Sequence, residues 1–552
     1  MKSLLSIARI AVCMFLTLPV LAQTPGIYNA GDVAVINDMI DNNGLQWTKA
    51  DPADGSYIPD GWIGAHWSDE ETGKRIVILD IVNQSLTGDL DVSKLTGLQE
   101  LLCSSWIIME NSSDPLPPYS ELNNEQLNRL TSLNASGCSN LRQLDCRFNL
   151  LTSLDVSACT GLEFLDCAVN QLEELNVAEL TLLKRLYCSN NNLTSLTVTG
   201  CTGLEHLYCK DNSLTTLDVS GLIGLSWLYC SNNSLTSMDM SGLSGLQWLF
   251  CGDNDFTSLD VSELTGLERL SCEVNRLTSL DVSALYNLRI FYCAYNNLTS
   301  LDLTGCAALQ ELSCSYNKLE SIDLSYLTGL SSINCMENKL TGLDLLGLTS
   351  LENLYCSNNN LTKLTVSGLT GLNTLFCTAN HLTFLDLTGM NNLVYFEGHS
   401  QTLSLIFTGS DNHYTANIVF GDGVTFDIPT LSYENDLLTI TSDEAKTFGF
   451  TSPTVQPDIA LTGTITAAYE TEVNPANDPF AQAGNPCALN AYVQNGRLHV
   501  TGLHTGVPWR IFSLSGALIY QNTATGNEAD IDLPSRGVFI VKSGLQAVKV
   551  YY

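Results

Sequence analysis

The sequence predicts a mainly β fold of the α/β class: a curved solenoid of stacked coils sharing one parallel sheet, followed by small antiparallel β domains. Three observations predict it. Cys recurs every 21 residues from Cys146 to Cys377, Asn recurs three residues after each of them, and proline is absent from Tyr119 to Ile428. A fixed period of this length marks a stack of supersecondary units, and the missing proline fits coils whose backbone N–H groups donate to a neighbour. Composition agrees, since 45% hydrophobic residues in 552 suffice for a core. A net charge of −34 argues against nucleic acid or an anionic membrane as direct ligand, because either would be repelled.

From the N-terminus, residues 1–22 read as a secretory signal peptide. Lys2 and Arg9 are basic, Ile10–Leu21 is apolar, and Val20-Leu21-Ala22 is a small-residue cleavage site. That run is too short to span a bilayer, and no later stretch reaches ~18 apolar residues, so no transmembrane segment is expected after signal removal. Cys13 follows Val12 rather than a small residue, which speaks against a lipoprotein. Residues 23–75 read as an N-terminal cap, with a helix-like Asp32–Asp41, then Trp47, Trp62-Ile63-Gly64 and Trp67.

The solenoid is placed at 76–400. Its first coil is Ile76–Ser93, and a loop insertion at about 104–128 contains Asn111–Ser120, read as a tolerated insertion or a partner contact. The repeat approximates L-x-x-L-x-C-x-x-N-x-L-T-x-L-D-V-S-x-x-T-G, a leucine-rich repeat with Cys at an apolar position. Its structural ladder is Cys146, Cys167, Cys188, Cys209, Cys230, Cys251, Cys272, Cys293, Cys314, Cys335, Cys356 and Cys377, with Asn149, Asn170, Asn191, Asn212, Asn233, Asn254, Asn275, Asn296, Asn317, Asn338, Asn359 and Asn380. One coil cannot bury its own leucines, whereas stacked copies form a continuous core. In L-x-C the Leu and Cys point inward and their neighbours outward, and the Asn column is expected to turn inward onto backbone groups. About fourteen coils at ~4.8 Å each predict a stack roughly 65 Å long.

Adjacent Cβ bonds in such a column run parallel instead of converging, so buried free thiols are favoured over disulfides. Cys138, Cys159, Cys201 and Cys306 read the same way in a second apolar column. No C-x-x-C pair or His/Cys cluster suggests a metal, and no cofactor is expected. Asp155, Asp218, Asp239, Asp260, Asp281, Asp302, Asp323, Asp344 and Asp386 recur nine residues after a ladder Cys. They are read as bonding locally to turn backbone, with calcium bridging the alternative.

These repeats resemble those of the internalin family, especially its cysteine-ladder member, and of surface leucine-rich-repeat proteins of Bacteroidetes, over about residues 76–400. The resemblance implies a curved solenoid whose concave face binds a host or surface partner. The cap resembles that of plant-type leucine-rich-repeat proteins, without their cap cysteines. Residues 401–470 alternate apolar and polar in Thr415–Phe420, Leu437–Thr441 and Ile459–Thr466, and are expected to form a small immunoglobulin-like β domain. Residues 471–486 read as a proline-containing linker. Residues 487–552 include Gly496–Gly502, Ile511–Gly516 and Arg536–Val541, and end in Val548-Lys549-Val550-Tyr551-Tyr552. They resemble the C-terminal sorting domain of the type IX (Por) secretion system, which implies a protein secreted or attached to the outer-membrane surface, with that machinery as a partner. An ordinary terminal β-sandwich is the alternative.

The outward positions nominate a binding site. Phe164, Tyr187, Tyr208, Trp227, Tyr229, Trp248 and Phe250 cluster over five adjacent coils, on columns that also hold Asp145, Asp166, Ser271 and Tyr292. Such a patch of exposed aromatics fits the core of a protein interface. It fits equally a platform for sugar rings, or rings that stack on one another and stiffen the sheet. Lys184, Arg185, His206, Lys210 and Arg269 could form a polar rim. The seven His are scattered, with no catalytic motif, so no enzyme activity is expected. The sequence therefore predicts an exported, non-enzymatic binding protein for a protein partner, or alternatively a glycan, on its concave face.

Overall fold

The computed structural model describes residues 27–105 and 127–403 apart from single positions (52, 384, 386, 388, 389 and 391), the backbone of the strands from 404 to 471, and most of 490–551. The signal segment, the loop at Asn111–Ser120 and residues 472–486 lie outside the described residues. The chain divides into two compact units, one of residues 1–405 with 417–438 and 445–467, the other of 406–416, 439–444 and 468–552.

In the first unit a short strand, Ile27–Tyr28, is followed by the helix Ala30–Asn42. Its start is fixed by Asn29, whose side chain accepts a hydrogen bond from the Asp32 N–H at 3.1 Å. Asp32 is wholly buried. It accepts from the Arg75 guanidinium at 2.9 Å and from the Ile76 N–H at 2.8 Å, joining the cap to the first coil. Strand Ala65–Trp67 pairs antiparallel with Ile76–Asp80, and from there every partner is parallel. One three-residue strand per coil follows, up to Tyr395–Glu397, giving a sixteen-stranded sheet in sequence order apart from interposed short strands at other sheets. This is the mainly β, parallel-sheet solenoid that the 21-residue period predicts.

The central Leu of each strand and the Cys two residues on are buried, as at Leu207/Cys209, Leu228/Cys230 and Leu249/Cys251. Each fully buried Leu contributes about 1.5–3 kcal/mol. Seventeen cysteines are described, all buried and free. Burial pushes the Cys138 thiol up to about 12 and the Cys159, Cys201 and Cys306 thiols to about 11. It raises the ladder thiols too, Cys230 to about 12 and Cys146 and Cys209 well above their ordinary range. A thiol held protonated in this way is a poor nucleophile and packs as a small hydrophobe.

The ladder Asn side chains lock successive coils together. Asn254 Nδ2 donates to the carbonyl of Cys251 in its own coil and of Cys230 in the coil before, both at 3.1 Å, while its Oδ1 accepts from the Leu235 N–H at 2.9 Å. The arrangement recurs from Asn149 to Asn380. It extends beyond the repeated letters at both ends. Asn128 donates to the Ile81 and Cys103 carbonyls and accepts from the Leu86 N–H. Gln401 donates to the Cys377 carbonyl at 2.9 Å and accepts from the Leu382 N–H at 3.0 Å. The sequence pattern ends the signature after Phe396; the structure adds one more rung, because Gln carries the same amide.

The residue before each ladder Asn has a left-handed backbone, including Phe148 (φ 54°), Val169 (54°) and Val274 (51°). The turn Asp residues bond locally: Oδ1 of Asp155, Asp218, Asp239, Asp260, Asp281, Asp302, Asp323 and Asp344 accepts from the N–H two residues on, at 2.9–3.0 Å. Asp386 lies outside the described residues.

Beyond the solenoid, strands Thr447–Pro453 and Ala460–Thr471 pair antiparallel. In the second unit His413–Asn417 pairs antiparallel with the end of Gln401–Ser410. Its last part is two antiparallel sheets. Asn490–Gln494, Arg497–Thr501 and Glu528–Ile531 form one, and Pro508–Ser513, Leu518–Thr523, Val538–Ser543 and Gln546–Tyr551 the other. Leu498, Val500, Trp509, Ile511 and Val541 form a core of their own. No helix among the described residues is long and apolar enough to cross a membrane.

Candidate functional site

The strands leave two outward positions per coil, one on either side of the buried Leu. Because each strand pairs in register with the next, equivalent side chains line up in straight columns. The first column brings His206, Trp227 and Trp248 together as stacked rings, with centroids 4.0 Å and 4.4 Å apart and planes within 7° and 4°. The Arg269 guanidinium closes it, 4.6 Å above Trp248. In the second column Tyr187, Tyr208, Tyr229 and Phe250 stack at 4.7, 4.3 and 4.5 Å. Phe164, from the first column, tilts against Tyr187 at 5.6 Å.

All seven nominated aromatics are therefore half-buried by one another, not openly exposed as their spacing alone suggests. Trp227 has both faces covered and presents its edge. Burial, followed by the neighbouring Tyr229 and Tyr187, raises the Tyr208 phenol, so this hydroxyl stays protonated. His206 is pushed down, by burial first and the Arg185 charge second, and so tends to be neutral near pH 7. Its Nδ1 is buried with no hydrogen-bond partner among the described residues.

Asp145 and Asp166 stand side by side at the start of the second column. They are covered instead of exposed, at 7% and 5%. Arg147 reaches both, at 3.3 and 3.2 Å, and Ser104 donates to Asp145 at 3.1 Å. Burial, reinforced by the Asp145 charge, pushes Asp166 up to about 7 against the pull of Arg147. Of the rim residues, Lys184 is held by Glu163 at 2.7 Å and Lys210 by Asp211 at 3.4 Å, whereas Arg185 is exposed. Further along, Tyr292 donates to Glu311 at 2.6 Å. No group of three or more metal-binding side chains occurs among the described residues.

A one-coil register, an inward Cys and Asn column and an outward sheet of stacked side chains define a leucine-rich-repeat scaffold. The functional domain of InlJ from Listeria monocytogenes, which includes a cysteine ladder, superposes with a TM-score of 0.58 at 30% identity, over 73% of this chain and 94% of that one. The chain belongs to that cysteine-ladder leucine-rich-repeat family, the internalin type. A leucine-rich-repeat protein of Leptospira interrogans gives a TM-score of 0.47 at 26% identity, over 56% of this chain and 89% of its own. An internalin, InlF, of L. monocytogenes gives 0.41 at 23%, over 47% and 81%. No family model matches the chain, and no curated protein does.

Proposed function

We propose that the chain is an exported, non-enzymatic binding protein that recognises a protein partner through the sheet face of its repeats, as a surface adhesion or interaction scaffold. The observation that carries this reading is the pair of ring columns over residues 164–250. Pre-stacked, half-buried aromatics offer a large contact area that loses little conformational freedom on binding, which suits the core of an interface. Export rests on the signal-like residues 1–22, and delivery to the surface on the likeness of 487–552 to a type IX sorting domain.

The glycan reading gains less from this geometry. A sugar ring stacks on an open aromatic face, and His206, Trp248 and Arg269 cover the faces that Trp227 and Trp248 would offer. The test compares the full chain with a Trp227→Ala/Tyr208→Ala variant against surface proteins in a cross-linking capture, and against a glycan array. Capture of a defined protein that the double variant loses, at unchanged thermal stability, is the expected result. Glycan binding lost with Trp227→Ala, and no protein captured, would replace this reading with the other.

A further inference from the structure

The ring columns end, on their N-terminal side, beside a groove of about 520 Å³ lined by Glu100, Arg142, Gln143, Glu163, Phe164, Lys184 and Arg185. Its charge is anomalous. The chain carries 24 Lys and Arg against 58 Asp and Glu, yet here three cations face two acids. One cation is neutralised, since Lys184 is bound to Glu163 at 2.7 Å. Arg142 and Arg185 are exposed, and neither guanidinium has an ion-pair partner among the described residues. Arg185 is crowded by its own sign instead: its charge opposes protonation of both Lys184 and His206. Two guanidiniums without an ion pair among the described residues, Arg142 also lying within electrostatic reach of Glu163, thus stand beside the half-buried ring of Phe164.

We propose that this groove binds carboxylates of an acidic polypeptide segment, a proposal that rests on the sheet face being a protein-binding surface. Arg142 immediately precedes strand Gln143–Asp145 and Arg185 begins strand Arg185–Tyr187, with Phe164–Asp166 between them. Two strand spacings separate the pair by roughly 10 Å. A polyproline II segment has three residues per turn and rises ~3.1 Å per residue, so acidic side chains three residues apart share one face and match that span. Each guanidinium can take one carboxylate through paired N–H donors, the geometry in which such bonds are strongest. Phe164 between them offers an apolar floor to the intervening residues.

The test is isothermal titration of the full chain with deca-glutamate at ~0.15 M salt, where a Debye length of about 8 Å screens the distant acids. Saturable one-site binding is expected, weakened about tenfold or more by Arg142→Gln/Arg185→Gln and less than about threefold by Lys184→Gln. Absence of saturable binding, an unchanged affinity in the double variant, or tighter binding of an oligogalacturonate of equal charge would each overturn the proposal. Failure here is distinguishable from failure of the wider reading. A misread groove leaves protein capture intact in Arg142→Gln/Arg185→Gln, whereas a misread sheet face leaves capture unaffected by Trp227→Ala/Tyr208→Ala.

Discussion

Replacing Asn254 by Ala tests the inward amide ladder at its centre. The side chain makes four backbone hydrogen bonds: it accepts from Leu235 N–H at 2.9 Å, and it donates to the Cys230, Cys251 and Gly252 carbonyls at 3.1 Å. All three carbonyls keep other donors, because Cys230 also accepts from Asn233, Cys251 from Asn275 and Gly252 from the Asn232 N–H. The Leu235 N–H has no such reserve. Leaving that buried donor unpaired costs about 1–3 kcal/mol, and each weakened carbonyl about another 1 kcal/mol. A loss of about 4 kcal/mol is expected, read as a lower urea midpoint with little change in slope. Hydrogen exchange should show the opening at the Leu235 amide and in the coils on either side. Because the ladder is translationally repeated, Asn170→Ala and Asn317→Ala should cost the same within about 1 kcal/mol. A loss below about 1 kcal/mol for Asn254→Ala, or costs that scatter with position, would refute the account of the ladder as the tie between coils.

Three further outcomes follow from the same geometry. Val274 is a β-branched residue held at φ 51°, where Asn190, Asn232 and Asn358 sit in other coils; Val274→Asn should raise stability by about 1 kcal/mol in urea unfolding. A side chain at Gly305 would place its Cβ 2.0 Å from the Ser283 carbonyl oxygen of the previous coil, so Gly305→Ala should destabilise by about 2 kcal/mol, seen as a lower Tm. Asp166 has its pKa raised from 3.8 to about 7, so the folded state holds a proton that the unfolded state releases between those values. Its contribution is therefore fullest below pH 3.8 and is lost as pH rises to about 7, at most about 4 kcal/mol. Asp166→Asn should flatten that part of the stability profile and raise stability above about pH 7.

The fold was legible because its inward columns repeat single letters. Cys every 21 residues and Asn three later follow from geometry: each coil must fill the same volume and bond the same carbonyls, so the same residue returns. The rung at Gln401 was hidden because what the position requires is an amide, and the letter changed. Asn128 was hidden because an insertion breaks its spacing from Cys103. The left-handed column carries Phe, Val, Asn, Asp, Tyr, Glu, Ala and Ser, so no letter pattern announces it; the strain there is imposed by the turn around the Asn. On the outer face the spacing placed the aromatics in adjacent coils. It could not give their mutual coverage, nor the burial of Asp145 and Asp166 beneath Arg147, because those depend on how side chains lean across strands.

The inner and outer columns are coupled through one spacing. The Asn amides bond carbonyls in two successive coils, which fixes neighbouring strands at the separation where flat side chains meet face to face. Trp227 on Trp248 at 4.4 Å and Tyr208 on Tyr229 at 4.3 Å are consequences of that register as much as of aromatic attraction. Under the proposed function, a change on the outer face then alters recognition with little effect on the coil beneath, since Leu228 and Cys230 are buried. A change to the inner ladder has the opposite character: it loosens the register and disorders every outer column at once. Trp227→Ala should accordingly leave the urea midpoint nearly unchanged while abolishing the recognition we propose, and Asn254→Ala should weaken both. A Trp227→Ala variant that lost several kcal/mol of stability would mean that the ring columns hold the solenoid together, and that their conspicuous place on the sheet speaks to folding instead of binding.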